Sequence, residues 1–417
     1  MSTVWRWLSR VLSVIALAIA VVLALYAYGR LTTPTPSQRD ALALMQESAP
    51  MPEGENGFPL LMVASPPEGD WPMALSCRGE GASCLDAVQS APEAHEAALL
   101  ANSPALDAAE RALRAPVFRN PDMTPAATDV LPPFQMVIRL SARRAFEFAA
   151  GRESAALGAT CRDAADFARW SREQDSMVHA MIAVAGFRQS AALIGEMRAR
   201  TPTVPMPDAC LALAALPDPA AEGLICDGLR SEWRMIDGIG ISVVDQVPEA
   251  QRPSVHWLHS PEQFSARSAE RMAGYCGPAA VDAALRDDID GARLDSPPRA
   301  IDRLSFPVSH ILGEIAGGVM YADYWERQLD HVARRRLLAA FLQMEAMPAG
   351  LSNAERFAAL PAELRDGPRP LRFDAGANTL GVALRGRQHD GAPGNEALLM
   401  LPSVSPASAP LAASLAP

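Results

Sequence analysis

An uncharged apolar run near the N-terminus, VLSVIALAIAVVLALYAY, constrains the fold of this chain more than any other feature. It begins at Val11 and ends at Tyr28. A helix rises about 1.5 Å per residue, so a run of this length is close to the minimum that crosses the hydrocarbon core of a bilayer. Trp5 and Trp7 precede the run and Tyr26 lies near its end, a placement typical of aromatic rings at the two interfaces. The sequence therefore predicts a transmembrane helix over residues 11–28.

The charges around this run predict its orientation. Arg6, Arg10 and the α-amino group all lie on the short N-terminal side. Positive charge beside a span favours the cytoplasmic side, so we expect a cytoplasmic N-terminus and an exported remainder. A cleaved signal peptide is the alternative, with the small residues around Ala27 as the cleavage site. Its apolar core would be long for a signal peptide, which favours an uncleaved anchor.

The composition excludes several classes of function. The chain has 417 residues and a net charge of −11, and its 37 basic residues are all arginine. A phosphate-binding loop of the Walker type, a Ser-Lys dyad and a Schiff base all require a lysine, so none of them is available. An acidic chain also lacks the concentrated basic surface that nucleic acid requires, so we expect no nucleic-acid partner.

Helical patterns dominate the exported part. In the segment PFQMVIRLSARRAFEFAAG, apolar residues recur every three to four positions and arginines fall on another face. Gly151 then ends the helix. No fixed-period repeat is present. The sequence predicts helices over residues 38–47, 134–149, two within 152–200, then 208–215, 220–237, 261–273, 279–286 and 319–347.

Near Leu371 the pattern changes from helical to alternating. PLRFDAGANTLGVALRGR alternates apolar and polar residues around a Gly-Ala-Asn turn, and EALLMLP supplies a further strand. We predict a mainly α protein with an N-terminal transmembrane helix, an irregular, bundle-like helical periplasmic domain and a small C-terminal β hairpin or sheet. The predicted segments are 1–10 (cytoplasmic), 11–28 (transmembrane), 29–48 (tether and first helix), 49–366 (helical domain), 367–402 (β element) and 403–417 (disordered tail).

Two stretches resemble a known group of proteins. The segment NGFPLLMVASPPEGDWP, which starts at Asn56, and the cysteines up to Cys84 look like the start of the exported part of membrane-anchored helical envelope proteins of proteobacteria. The stretch from Ala349 to Gly386 resembles their C-terminus, although RDGPRPLRFD lacks their aromatic residue and the glycine after it. The resemblance implies a location in the bacterial envelope and a helical domain with a small C-terminal sheet, and it carries no activity.

One motif suggests a cysteine nucleophile. In AGYCGPAAVDAALRD, Cys276 precedes Gly-Pro and a helix, as in some papain-like peptidases. Those enzymes also need a glutamine a few residues earlier and a base histidine on a strand. Here the nearest glutamine is Gln263, and His310 and His331 lie in helical patterns. We therefore predict that Cys276 is buried or disulfide-bonded and is not catalytic.

Histidines supply a second candidate. His256, His259 and Glu262 have a spacing that could ligate zinc if their segment were helical. Pro253 and Pro261 bracket the segment tightly, so we predict exposed loop histidines and assign no metal ligands.

Two further features have ordinary structural explanations. His179 is predicted at the edge of the core. The three arginines from Arg334 to Arg336 are predicted to form a solvated face or to pair with carboxylates, with an anionic-ligand site as the alternative.

The six cysteines suit an oxidising compartment. Cys77 and Cys84 flank RGEGAS, whose two glycines let the chain turn back, so we predict a disulfide between them. Reduced cysteines and pairing with a distant cysteine are the alternatives. The sequence leaves the pairing of the other four open, and Cys161 is as easily a free core thiol as a bonded one.

These observations favour a protein that acts through contacts rather than chemistry. We predict a single-pass inner-membrane protein that is a binding or scaffolding component of the cell envelope, with no catalytic, cofactor or metal residues assigned. Its partners would be the membrane, through residues 11–28, and an envelope protein. The alternatives are an envelope hydrolase whose site is assembled from scattered residues, and an accessory subunit of a secretion or envelope assembly.

Overall fold

The chain is mainly helical, and a small sheet lies near its C-terminus. A computed structural model describes residues 2–47, 54–64, 83–120, 132–173, 176–292, 299–316, 320–348, 350–385 and 396–402. The first helices are α1 (Ser2–Thr32), α2 (Pro36–Gln46), α3 (Gly57–Met62), α4 (Cys84–Ser90), α5 (Pro92–Ala101), α6 (Ser103–Arg114), α7 (Gln135–Ala149), α8 (Glu153–Trp170), α9 (Met177–Arg200) and α10 (Asp208–Leu211). They are followed by α11 (Pro219–Glu222), α12 (Cys226–Gln246), α13 (Arg252–Leu258), α14 (Pro261–Ala273), α15 (Pro278–Arg286), α16 (Ala300–Ser305), α17 (Pro307–Ala316), α18 (Met320–Ala346), α19 (Asn353–Ala358) and α20 (Ala362–Arg365).

The first helix is set apart from the rest by its exposure. Most large apolar side chains of α1, such as Leu17 and Leu23, are exposed. The chain from Val4 to Gln46 contains an apolar stretch that is long enough to cross a membrane and is 0% buried. A helix that is long and apolar enough to span a membrane is therefore present where the sequence predicts one, and its apolar stretch is not covered by the rest of the described chain.

Helix α9 also has the length and composition of a membrane span. Its environment differs, because α7, α8 and α18 pack around it. Phe187 and Ile194 are fully buried among these helices. We therefore describe α9 as a core helix.

Two apolar clusters form the core, and α18 belongs to both. In the N-terminal half of α18, Trp325 and Leu329 pack with Trp233 of α12. In its C-terminal half, Leu338 and Phe341 pack with residues of α7, α8 and α9. The long helix therefore joins the two halves of the domain.

The C-terminal sheet takes the three-stranded form of the prediction. Strands β1 (Arg372–Asp374), β2 (Thr379–Ala383) and β3 (Glu396–Met400) are antiparallel in the order β1-β2-β3. Leu380 and Val382 of β2 are buried, and the sheet packs on α9 and α18. The sheet closes the end of the first apolar cluster.

Some predicted boundaries were wrong. The helix predicted over 220–237 is divided into α11 and α12, and α12 continues to Gln246. The division falls at Gly223, where a β-carbon would lie 2.5 Å from the carbonyl oxygen of Pro219 and 3.0 Å from Ala284. Close packing against α15 therefore favours glycine at this position. The predicted disordered tail, 403–417, lies outside the described residues.

Candidate functional site

Cys276 is not a free thiol. It forms a disulfide with Cys226 at the start of α12, and the two Cα atoms are 4.7 Å apart. A sulfur in a disulfide has no proton to lose and cannot act as a thiolate nucleophile. His310 instead accepts a hydrogen bond from Arg303 Nε at 3.1 Å, and His331 bonds a serine elsewhere. The structure therefore does not assemble the peptidase-like site that the Cys-Gly-Pro motif suggests.

The structure pairs His331 with Ser171, which no sequence motif predicted. His331 Nε2 lies 3.0 Å from Ser171 Oγ, and both residues are completely buried. Burial lowers the pKa of His331 well below its ordinary value. In the described structure its Nδ1 makes no hydrogen bond, so the carboxylate that orients a catalytic histidine is missing. This Ser-His pair is a buried structural contact.

The prediction of exposed loop histidines was wrong for His259. This residue caps α13 and is buried, with Nε2 2.9 Å from the carbonyl oxygen of Gly240 and Nδ1 3.0 Å from Ser309 Oγ. Both ring nitrogens are engaged, so neither can ligate a metal. His256 is exposed on α13 and Glu262 is exposed on α14. Among the described residues, no group of three His, Cys, Asp or Glu is placed to hold a metal ion.

His179 lies deeper than the predicted core edge. It is fully buried, with its ring 4.4 Å from that of Phe118 and 4.6 Å from that of Trp170, between ring centroids. Burial, together with the charges of Arg119 and Arg169, lowers its pKa to about 3. The residue is therefore a neutral member of an aromatic cluster.

The three consecutive arginines of α18 do not form a solvated face. Arg335 and Arg336 are buried. Arg335 Nε donates to Glu222 Oε2 at 3.1 Å, which matches the predicted alternative of carboxylate partners. Its guanidinium carbon also lies 5.4 Å from the ring centroid of Phe187. Burial lowers the pKa of Arg336. The packing of α18 inside the domain buries these arginines, although the local sequence predicts that they lie on the surface.

The disulfide prediction has a mixed outcome. Cys77 lies outside the described residues, so its pairing with Cys84 stays a prediction. Cys161 is bonded to Cys210, which joins α8 to α10, so the free-thiol alternative for Cys161 was wrong.

A charged cleft of about 420 Å³ opens beside α6 and is lined by Glu55, Asp107, Glu110, Arg111 and Arg114. Beneath the cleft, α7 and α8 bury an ion-pair network that no local pattern in the sequence predicts. Asp163 Oδ2 accepts from Arg144 Nε at 2.9 Å, and its other oxygen accepts from Arg114. Burial opposes the charge on Arg144, but its carboxylate neighbours more than compensate and raise its pKa. Glu110 and Arg114 belong to both the network and the lining, so the cleft presents charged side chains that are held in ion pairs.

The junction between α1 and the rest of the domain is built around Arg30. The guanidinium carbon of Arg30 lies 4.9 Å from the ring centroid of Tyr26, 5.5 Å from that of Trp257 and 4.7 Å from that of Phe306. Arg30 Nη2 also donates to the carbonyl oxygen of Trp257 at 2.8 Å. An arginine enclosed by aromatic faces gains cation–π attraction from each of them.

Helix α16 approaches α1 closely at the same junction. A β-carbon on Gly29 would lie 1.9 Å from Ser305 Oγ and 3.1 Å from Ile301. Glycine is therefore required there for the two helices to touch. The aromatic contacts and this close approach fix the helical domain against the end of α1 that follows the apolar run.

Comparisons of the chain with protein-family models, with curated proteins and with solved structures give no match. The functional inference therefore depends on the chain's own residues.

Proposed function

We propose that this chain is a single-pass protein of the bacterial inner membrane, anchored by α1, whose helical domain is exported to the periplasm. There it acts as a binding or scaffolding component of the cell envelope. The single observation that carries the proposal is the contrast between α1, whose apolar surface is uncovered, and a domain that packs two ordinary cores. Such a surface is stable in hydrocarbon and costly in water.

The arrangement of the disulfides supports export. Cys161–Cys210 and Cys226–Cys276 join segments that are distant in the sequence. Disulfides form and persist in oxidising compartments such as the periplasm and are rare in the cytosol. The arginines on the N-terminal side of α1 support the same orientation.

Two observations favour a role through contacts. Two groups that a hydrolase could use, Cys276 and the Ser171–His331 pair, are in a disulfide or completely buried. The contacts at Arg30 attach the domain to the end of α1, which suits a scaffolding role. The cleft beside α6 offers its charges to a polar envelope partner, which also suits an accessory subunit of an assembly.

The experiment is a pair of reporter fusions with an enzyme that is active only outside the cytoplasm. Fusion after Arg39 should give activity and fusion before Val11 should give none. The full chain should stay with the membrane after carbonate extraction. A silent fusion after Arg39 would reverse the orientation, and release of the chain by carbonate would replace the anchor with a cleaved signal peptide.

A further inference from the structure

Helix α17 has its polar side turned into the protein. Ser309 Oγ bonds His259 and accepts from the backbone N–H of Ser260 at 2.7 Å. Glu314 accepts from Arg267 Nε at 2.8 Å. Gly313 lies directly against the Arg267 side chain, since a β-carbon there would come within 2.9 Å of it. The face of α17 that packs on α14 is therefore made of small and charged residues.

The opposite side of α17 is an apolar stripe in which Val308 and Leu312 are half-buried and two isoleucines are exposed. Val308, Ile311, Leu312 and Ile315 follow the spacing of one helix face. At about 100° per residue, this face lies about 180° from the face that carries Ser309, Gly313 and Glu314. Ile311 is 57% exposed and Ile315 is 71% exposed. A surface helix of a soluble domain turns its apolar face inward, so α17 is reversed.

The apolar surface continues onto neighbouring helices. Helix α13 packs against α12 and α17, and α16 packs against α1 and α17. Among the described residues, α13, α16 and α17 hold about a third of the large apolar side chains that are exposed outside α1. We call the exposed apolar residues of these three helices the collar surface: Trp257 and Leu258 of α13, Leu304 of α16, and Ile311 and Ile315 of α17.

The anchor defines the depth of the collar surface. The rise of a helix from Trp7 to Tyr26 is about 28 Å, close to the thickness of the hydrocarbon core. With Trp7 at one interface, Tyr26 lies at the other. The ring of Trp257 stacks on that of Tyr26 with centroids 6.3 Å apart, so the two rings share one depth. Trp257 is nevertheless 62% exposed, as expected for a tryptophan that meets lipid headgroups.

We infer that the collar surface lies on the outer face of the membrane and inserts the outward stripe of α17 into the boundary between headgroups and acyl chains. The inference rests on the proposed anchoring by α1 and adds a second membrane contact to it. An amphipathic helix binds such a boundary through its apolar face, with a strength that follows the apolar area it buries. The occupant of the surface is phospholipid, because the collar surface is continuous with the helix that already enters the bilayer.

The test uses an environment-sensitive fluorophore on single added cysteines in the full chain, in phospholipid vesicles. Ile311→Cys and Ile315→Cys carry the label on the collar surface. Leu17→Cys in α1 is the control for the anchor. Leu100→Cys on α5 is the matched control, because Leu100 is equally exposed but lies far along the chain from the collar surface. Two quenchers are compared, iodide in water and a nitroxide on the lipid chains.

The inference predicts a blue-shifted emission at Ile311 and Ile315, loss of iodide quenching, and quenching by the lipid nitroxide as at Leu17. The label at Leu100 should behave as in water. Aqueous behaviour at Ile311 and Ile315, with lipid quenching kept at Leu17, overturns the inference and leaves the anchor intact. Loss of lipid quenching at Leu17 contradicts the anchor itself. Protection from both quenchers at Ile311 also overturns the inference, because a second copy or another protein then covers the surface.

Discussion

Removal of the Cys226–Cys276 disulfide should lower the free energy of unfolding of the domain by an amount that depends on the length of the loop that the disulfide closes. The two cysteines are 50 residues apart in the sequence. For a loop of this size, the chain entropy that the cross-link removes from the unfolded state corresponds to about 4 kcal/mol. Replacement of both by alanine should therefore lower the free energy of unfolding by about this amount. The bond joins the start of α12 to the turn before α15, so its loss acts on the second apolar cluster.

The assay is denaturation of the full chain in detergent by guanidinium, without reductant, followed by tryptophan fluorescence. Trp233 and Trp325 are buried in the second cluster and report its unfolding. Reduction of the unchanged protein breaks Cys161–Cys210 as well, so it should lower the free energy of unfolding by more than the double alanine replacement does. A decrease below about 1 kcal/mol, or two alkylatable thiols at Cys226 and Cys276 in the folded protein, would refute the reasoning.

The Cys161–Cys210 disulfide allows a comparison of the stability lost when each cross-link is removed. Cys161 and Cys210 are 49 residues apart, so the same entropy applies. Both are fully buried, and alanines there also leave a small cavity worth about 1–2 kcal/mol. Their removal should thus cost more than removal of Cys226–Cys276, and an equal or smaller cost would contradict the packing. Peptide mapping of the same preparation tests the predicted Cys77–Cys84 bond, which alkylatable thiols at both positions would exclude.

Three further perturbations test other parts of the structure. His179 has a pKa of about 3 when folded and about 6.5 when unfolded, so the unfolded chain binds the extra proton and stability falls as the pH drops below 6.5. At about pH 4.5 the proton taken up by the unfolded chain lowers the free energy of unfolding by about 3 kcal/mol. The variant His179→Phe should lose this contribution to the pH dependence of unfolding, and an unchanged pH dependence would refute the burial of a neutral His179. Asp163→Ala removes the most deeply buried carboxylate of the network, while Arg144 keeps Glu110 and Arg114 keeps Asp166. It should cost about 2–3 kcal/mol in denaturant unfolding, because it removes charged hydrogen bonds inside the protein. The control Asp107→Ala, at an exposed pair, should cost less than about 1 kcal/mol, and equal costs refute the buried network. Arg30→Met removes the cation–π contacts and the hydrogen bond to Trp257, which together contribute about 2 kcal/mol. Amide hydrogen exchange in α13 should therefore accelerate. An unchanged exchange rate would contradict the contacts between α1 and α13.

Local signals in the sequence were sufficient for many helices. Helix α14 covers the predicted residues 261–273 because Ser260 caps it, accepting from the backbone N–H of Gln263, and Pro261 occupies its first turn. The apolar run that predicts α1 is similarly local. Such patterns depend only on neighbouring residues, so the helices that they indicate can be predicted without knowledge of the tertiary structure.

The candidate sites depend on residues that are far apart in the sequence, and this is why the sequence did not reveal them. Ser171, directly after α8, and His331 of α18 are 160 residues apart in the sequence and meet only in the folded chain. His259 has a polar, proline-flanked sequence context typical of a loop, yet α12 and α17 enclose it. The aromatic enclosure of Arg30 likewise needs three segments that only the folded chain brings together.

The reversal of α17 has the same origin. Its sequence alone shows two faces, apolar and polar, and a soluble helix would bury the apolar one. Only the position of α14 shows that the polar face is inside. The sequence thus contains the amphipathic pattern, while the direction in which it faces is a tertiary property.

The central claim, an anchored chain with an exported domain, is tested most directly by labelling two added cysteines with a maleimide that does not cross the inner membrane. Val4→Cys lies at the start of α1, and Glu363→Cys lies on the surface of the domain in α20. In cells with a permeable outer membrane, the account predicts labelling of Glu363→Cys, and labelling of Val4→Cys only after detergent is added. Labelling of Val4→Cys but not of Glu363→Cys in intact cells would contradict it.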